Sequence, residues 1–265
     1  MKTMVFELEH IAFSYQPGHN VLEEISCSVE SGESVALLGA NGAGKSTLLK
    51  ILCGLIFPTS GRFTAFGEVI TEDLLEQAEV AMRYHQRVGF IFQNSEAQLF
   101  TNRVWDEIAF GPLQLGMPEA EVRRRVKDIL RLLAIEHLQD RSPFRLSGGE
   151  KRKVAVAAVL IMNPEVLILD EPSAGLDPKT QRWLTQLLSA LHHQGRTMVL
   201  STHNLELAHF LTQRAVVLSE QHRLVFDGPT RQALADRELL TRVNLIDEYH
   251  HEHDDHSHIH LYTHG

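Results

Sequence analysis

Between Ser34 and Thr47 the chain reads "SVALLGANGAGKST", an apolar run that leads straight into G-x-x-x-x-G-K-[ST] at Gly39, Gly44, Lys45 and Ser46. No other stretch restricts the fold as much. A short apolar run bounded by turn residues reads as a strand covered on both faces, and "KSTLLKILCGLI" behind it carries a helical pattern. A glycine-rich loop between strand and helix turns its backbone N–H groups toward one point. The helix adds its unpaired amides and positive dipole end to the same place. Such a cradle suits phosphate. Gly39, Asn41, Gly42, Gly44, Lys45, Ser46 and Thr47 are therefore expected to bind a nucleotide, with Lys45 at its β- and γ-phosphates and the Ser46 hydroxyl on Mg²⁺.

Four more apolar runs of the same kind follow, "VGFIFQ" from Val88, "VLILDE" from Val166, "TMVLST" from Thr197 and "AVVLS" from Ala215. Helical patterns lie between them, in "MPEAEVRRRVKDILRLLAI" and in "PKTQRWLTQLLSALHHQG", where Gly195 reads as a C-terminal cap. Strand and helix in alternation predict an α/β layered domain with a parallel sheet. Upstream, "FELEHIAFSYQPG" alternates apolar and polar residues with one slip of phase, which predicts strands interrupted by a bulge or turn.

The totals narrow the function classes. At 265 residues the chain suits one large α/β domain or a domain with a small appendage. A net charge of −9 argues against a nucleic-acid partner drawn by bulk charge. Cys27 and Cys53 each stand alone in apolar surroundings and read as reduced core residues. The N-terminal "MKTMVFELEH" lacks a signal-peptide pattern, and the longest apolar run, Val154 to Met162, falls far short of the roughly 18 residues that span a bilayer.

A second stretch, "LSGGEKRKVAVAAVLIMNPEVLILDEPSAGLDP", ends a buried strand on two adjacent carboxylates, Asp170 and Glu171. Like charges that close repel unless a cation or proton lies between them. Beside a phosphate loop the pair becomes intelligible: Asp170 is placed to hold Mg²⁺ together with Ser46, and Glu171 to act as general base toward the attacking water. Ahead of that strand, Ser147, Gly148 and Gly149 form a helix start suited to an anion, with Ser147 as N-cap.

In order along the chain, "GANGAGKST", Gln93 after "VGFIF", "LSGGE", "VLILDE", "SAGLD" and His203 in "STHN" resemble the nucleotide-binding subunit of ATP-binding cassette transporters over about residues 4 to 235. "LSGG" is the discriminating element. The resemblance implies a P-loop (RecA-like) core sheet flanked by helices, with an antiparallel β subdomain and a helical signature subdomain. It implies ATP and Mg²⁺ as cofactors, and a homodimer in which Ser147, Gly148 and Gly149 of one copy cap the γ-phosphate held by the other. It further implies that His203 contacts that phosphate, that Gln93 binds Mg²⁺ or water, that Asp177 lies at the dimer seam and that Tyr15 stacks on adenine. Lys45, Glu171 and His203 are the expected catalytic groups. Glu150 stands where many members have Gln, and it is expected to face away from the site.

"QNSEAQLFTNRVWDEIAFGPLQLGMP", Gln93 to Pro118, resembles the ATPases of energy-coupling-factor importers, which take up vitamins, nickel or cobalt. That resemblance implies a membrane-embedded coupling subunit seated near Gln93, Gln98, Leu99 and Phe100, and a metal-binding membrane subunit. It places the chain peripherally, at the cytoplasmic face of the cell membrane. From Asp247 the composition changes to a histidine-rich tail without apolar period, expected to be flexible when unliganded. Its His250, His251, His253, His256, His258 and His260 suit Ni²⁺ or Co²⁺. The expected organisation is an ATPase domain over 4–240, with a helical subdomain over about 95–162, and a tail over 247–265. The alternatives are a vitamin importer with an incidental tail, or a soluble cassette ATPase. Only 108 positions separate Gly39 from Ser147, which leaves no room for the coiled coil of the DNA-repair relatives.

Overall fold

The computed structural model describes residues 3–94, 98–253 and 256–263, and side chains only as far as residue 246. The chain divides into two compact units, one formed by Met1–Glu72 with Leu188–Gly265 and the other by Asp73–Leu187.

The first unit opens with β1 (Met4–Gln16) and β2 (His19–Glu30), continues through β3 (Ser34–Leu38) and α1 (Lys45–Leu52), and then forms β4 (Ser60–Ala65) and β5 (Glu68–Val69). Strands β2-β1-β4-β5 make an antiparallel sheet. The phase slip in β1 is a bulge: His10 has φ 51°, and the register against β2 shifts between Leu8 and Ile11. In the second unit α2 (Glu72–Leu75) and α3 (Ala78–Arg87) precede β6 (Val88–Ile91), α4 (Val104–Gln114), α5 (Glu119–Leu132), α6 (Gly148–Leu160) and β7 (Val166–Asp170). Strands β6 and β7 pair in parallel, with Val88 opposite Val166.

Helix α7 (Pro178–His193) leads back to the first unit, which closes with β8 (Thr197–Ser201), α8 (Leu205–Leu211), β9 (Arg214–Leu218), β10 (Leu224–Pro229), α9 (Thr230–Ala235), α10 (Arg237–Arg242), β11 (Ile246–His253) and β12 (His256–Thr263). Here β3 lies between β8 and β9, parallel to both, and β10 returns antiparallel along β9. All five residues of β3 are buried, as a strand covered on both faces requires. On one side of it Ala36, Leu38, Ala215 and Val217 pack with Leu239, Leu240, Val243, Leu245 and Ile246. Each leucine so buried contributes about 1.5–3 kcal/mol, which fixes the strand whose end launches the phosphate loop.

Helices α4, α5 and α6 pack on one another in the second unit. The "VAVAAV" run of α6 is apolar all round, and Val154, Ala155, Val156 and Ala157 are fully buried. Gly195 caps α7 in the left-handed region at φ 85°, with the Gly195 amide donating to His192 and that of Arg196 to Leu191, the paired bonds of a Schellman end.

In the tail β11 and β12 form an antiparallel ladder in which His251 is opposite His258 and His253 opposite His256. The cause is local: Leu245 and Ile246 are buried in the core and anchor the first strand, and "HSHIHLYT" alternates at the strand period.

Candidate nucleotide-binding site

The phosphate loop joins β3 to α1 in the first unit. Gly39, Gly42 and Gly44 have φ of 145°, 85° and 103°, the half of φ space that L side chains avoid. Space adds to the requirement at two of them. A Cβ on Gly39 would lie 2.5 Å from the Leu218 carbonyl oxygen, and one on Gly44 would lie 2.5 Å from that of Val21 and 2.8 Å from Leu22 Cδ2. Gly42 has nothing within 4 Å. The Lys45 ammonium is buried and reaches back over the loop, donating to the carbonyl oxygens of Gly39 at 2.6 Å and Ala40 at 3.0 Å. That places a cation at the loop mouth, while Asn41, Gly42 and Ser46 are exposed there.

Two further expected residues gather on this loop. Tyr15, at the end of β1, is 56% exposed, stands edge-on to Phe13 at 4.8 Å between ring centroids, and its hydroxyl is 3.3 Å from Thr47 Oγ1. An aromatic left that exposed, beside the first turn of α1, is free to take a planar base on its face. His203 follows β8 and precedes Asn204, the N-cap whose Oδ1 accepts from the Leu207 amide. It lines a cavity of about 340 Å³ with Gly39, Ala40, Asn41, Glu220, Asn244 and Leu245. Nothing in the sequence pointed to Glu220 and Asn244 at this place. They come from a turn after β9 and from the end of α10, and the Asn244 amide donates to Glu220 at 3.3 Å.

The second unit carries the remaining groups. Asp170 ends β7 and Glu171 follows it, 8% and 7% exposed, and Glu171 has φ 42°, a strained value for a residue with a side chain. Ser147 caps α6 as expected, and Glu150 turns its side chain back onto that cap. Its carboxylate accepts from the Ser147 amide at 2.9 Å and from the Ser147 hydroxyl at 2.8 Å, completing a capping box. Those bonds hold the Glu150 carboxyl below the usual range, the backbone donor foremost. A Cβ on Gly149 would lie 2.6 Å from Thr180 Oγ1. Asp177 caps α7, accepting from the amides of Lys179 and Thr180 and from the Thr180 hydroxyl, and the Thr180 bonds keep its carboxyl ionised. Gln93 is exposed just past β6.

In the segment expected to meet a membrane subunit, Leu99 is buried and Phe100 is 59% exposed, edge-on to Phe110 at 4.9 Å. The buried carboxylate of Glu107 holds it, accepting from the amides of Phe100 at 3.1 Å and Thr101 at 2.8 Å. Ser95, Glu96 and Ala97 lie outside the described residues, as do the tail side chains of His250, His251, His253, His256, His258 and His260. Among the described residues no group of three or more His, Cys, Asp or Glu is arranged to hold a metal ion, and no helix is long and apolar enough to cross a membrane.

Residues 22–174 match the family described as ABC transporter. The chain belongs to that family. It is 48% identical over 252 residues to a putative ABC transporter ATP-binding protein of Methanosarcina acetivorans, covering 94% of this chain and 91% of that one. It is 44% identical to the nickel import ATP-binding protein NikO of Rhodobacter capsulatus over 247 residues, 92% and 96% of the two chains. Among solved structures, cbiO1 from Clostridium perfringens, part of the ABC transporter complex cbiONQ, superposes with a TM-score of 0.78 at 34% identity, over 92% of this chain and 96% of that one. The protein is thus an ATP-binding, ATP-hydrolysing ABC subunit, with the mixed α/β architecture of its family.

Proposed function

We propose that this ABC ATPase powers import of a transition-metal ion, nickel or cobalt, as the motor of an energy-coupling-factor transporter. The observation that carries this reading is the 44% identity to a nickel import ATP-binding protein across 96% of its length. The likeness to cbiO1, part of an ABC transporter complex, agrees with a role in transport. Residues 4–240 form the ATPase domain in this reading, and the chain works at the cytoplasmic face of the membrane as a dimer of two copies.

The residues present fit ATP with Mg²⁺. The cradle is one that Cβ atoms at 39 and 44 would obstruct, and the hydroxyl of Ser46 with the carboxylate of Asp170 and the amide oxygen of Gln93 is an all-oxygen set of the kind Mg²⁺ takes. Bound there, the ion would neutralise charge on the transferring phosphoryl group. Gly39, Asn41, Gly42, Gly44 and Thr47 cradle the phosphates, and Lys45 lays its ammonium on the β- and γ-oxygens in place of two loop carbonyls. Tyr15 stacks on adenine. Glu171 accepts a proton from the attacking water, whose position His203 fixes. Ser147, Gly148 and Gly149 of one copy cap the γ-phosphate held by the other, and Asp177 lies at the seam between them.

A coupling subunit in the membrane docks at the segment Gln98 to Phe100, where Phe100 offers an exposed ring on a backbone held by Glu107. A separate membrane subunit receives the metal. The tail histidines bind the same ion, as imidazole suits nickel and cobalt.

Uptake tests the whole reading. Membrane vesicles containing the chain and the subunits that copurify with it should accumulate radiolabelled nickel or cobalt when ATP is supplied. Glu171→Gln should abolish that uptake and trap ATP on the dimer. Accumulation of a vitamin in place of metal would move the chain to the vitamin importers, and no copurifying membrane subunit would remove it from transport. Deleting 249–265 should alter the response to metal and leave basal ATP hydrolysis unchanged.

A further inference from the structure

Arg152 is the bulkiest fully buried side chain described in the molecule. It lies five residues past Ser147 on α6, within "EKRK", where a helix surface would ordinarily carry solvated charge. Burial depresses its guanidinium to about 10, so it stays charged at neutral pH. Removing such a charge from water is costly, and apolar packing alone would be served better by Leu or Met. Its bonds show what the charge does. Nη1 donates to the Phe92 carbonyl oxygen at 2.6 Å and Nη2 to that of Pro172 at 2.5 Å. Among the described residues Nε has no partner, so nothing else ties the head.

The two acceptors are separate places in the sequence, and each adjoins a residue of the nucleotide machinery. Phe92 precedes Gln93, and Pro172 follows Glu171. Glu171 sits at φ 42°, a conformation that persists only where its surroundings impose it. We propose that Arg152 is a positioning residue which fixes the backbone just after the active carboxylate and just before Gln93 from the helix that begins at Ser147. When the start of α6 meets the partner's phosphate, the planar fork of Arg152 carries the placement of that helix to both segments. The carbonyls are 60 and 20 positions away in the chain, so no local contact substitutes for it. Lysine offers a point charge on a flexible stem and cannot hold two carbonyls in fixed relation. This inference rests on the roles given above to Gln93 and Glu171.

The test is steady-state ATP hydrolysis by the full chain carrying Arg152→Gln, Arg152→Lys, Glu171→Gln, or Glu171→Gln with Arg152→Gln. Arg152→Gln should lower kcat at least tenfold and leave the KM for ATP within about twofold. Arg152→Lys, which keeps charge and bulk, should recover part of the loss. The double variant should lose less than the product of the two single losses, because the carboxylate that Arg152 helps to place is already gone in Glu171→Gln. A kcat within twofold of the parent for Arg152→Gln, full recovery by Arg152→Lys, or losses that multiply in the double variant would overturn the proposal. If Arg152→Gln does not fold, Arg152→Lys decides alone. A threefold or larger fall in kcat at an unchanged melting temperature supports positioning, while full activity, or failure of both to fold, assigns the residue to folding only. Should Glu171→Gln itself leave hydrolysis unchanged, the reading of Glu171 fails first and independently.

Discussion

Replacing Gly44 and Gly42 in turn with alanine separates two reasons for glycine in the phosphate loop. Both sit at positive φ, 103° and 85°, so either alanine carries the left-handed penalty of roughly 1–2 kcal/mol. At Gly42 that is the whole effect, since the new Cβ meets nothing within 4 Å. At Gly44 it would stand 2.5 Å from the Val21 carbonyl oxygen and 2.8 Å from Leu22 Cδ2. Carbon contacts settle near 3.5–4.0 Å, so β2 and the loop must part by roughly 1 Å. Overpacking of that kind costs about 1–3 kcal/mol beyond the strain. At about 2–4 °C per kcal/mol for a chain near this size, Gly44→Ala should melt roughly 2–12 °C below Gly42→Ala. Scanning calorimetry of the two variants side by side reads the difference directly. Equal melting temperatures would refute the claim that β2 closes on the loop at Gly44. Displacing Val21 also distorts the loop, so Gly44→Ala should bind a fluorescent ATP analogue more weakly than Gly42→Ala.

Three other changes probe the second unit. Glu107→Ala leaves the amides of Phe100 and Thr101 without their acceptor and should destabilise by about 1–3 kcal/mol, with hydrogen exchange rising at those two amides. Ser147→Arg should abolish hydrolysis while nucleotide binding to a single copy, measured by fluorescence titration, stays near the parent value. Equal loss of both would count against a composite site. Glu150→Gln removes a carboxylate whose folded pKa is depressed, so the stability it supplies is present above its unfolded value near 4.3 and lost as pH falls through the folded one. Urea unfolding should therefore show a gap between parent and Glu150→Gln at neutral pH that closes below about pH 4.3.

What could be read in advance was whatever local chemistry dictates. The phosphate loop needs glycine at fixed offsets between strand and helix, and "SVALLGANGAGKST" displays all of it in one window. Ser147 as N-cap and Gly195 as C-cap were legible for the same reason, since a cap is a property of a few neighbouring residues. Residues whose meaning depends on burial were not. Arg152 and Glu107 lie among charges that resemble a solvated helix face, and only the folded unit shows one holding two carbonyls and the other two amides. Glu220 and Asn244 reach the cavity of His203 through the packing of β9 and α10, which no spacing encodes. In the tail, His256, His258 and His260 alternate visibly, but the partner strand and its register are set by pairing that no local spacing encodes.

Glu150 changes how the start of α6 must work. A helix start attracts phosphate through unsatisfied amides and the dipole, yet the carboxylate of Glu150 already accepts from the Ser147 amide and hydroxyl. At the composite site proposed above, an incoming phosphate would meet a resident anion and have to draw those donors from it. Each such bond to a charged acceptor is worth about 1.5–3 kcal/mol, so a weakly charged group gains little by the exchange. A terminal phosphoryl group, with more charge and three oxygens, recovers what it displaces. On that proposal the capping box would sharpen the response of Ser147 to the phosphate, and neutral Gln at 150 would relax it. Nucleotide-driven association of Glu150→Gln should accordingly need less ATP than that of the parent, and an unchanged ATP dependence would mean that the Ser147 donors never leave Glu150.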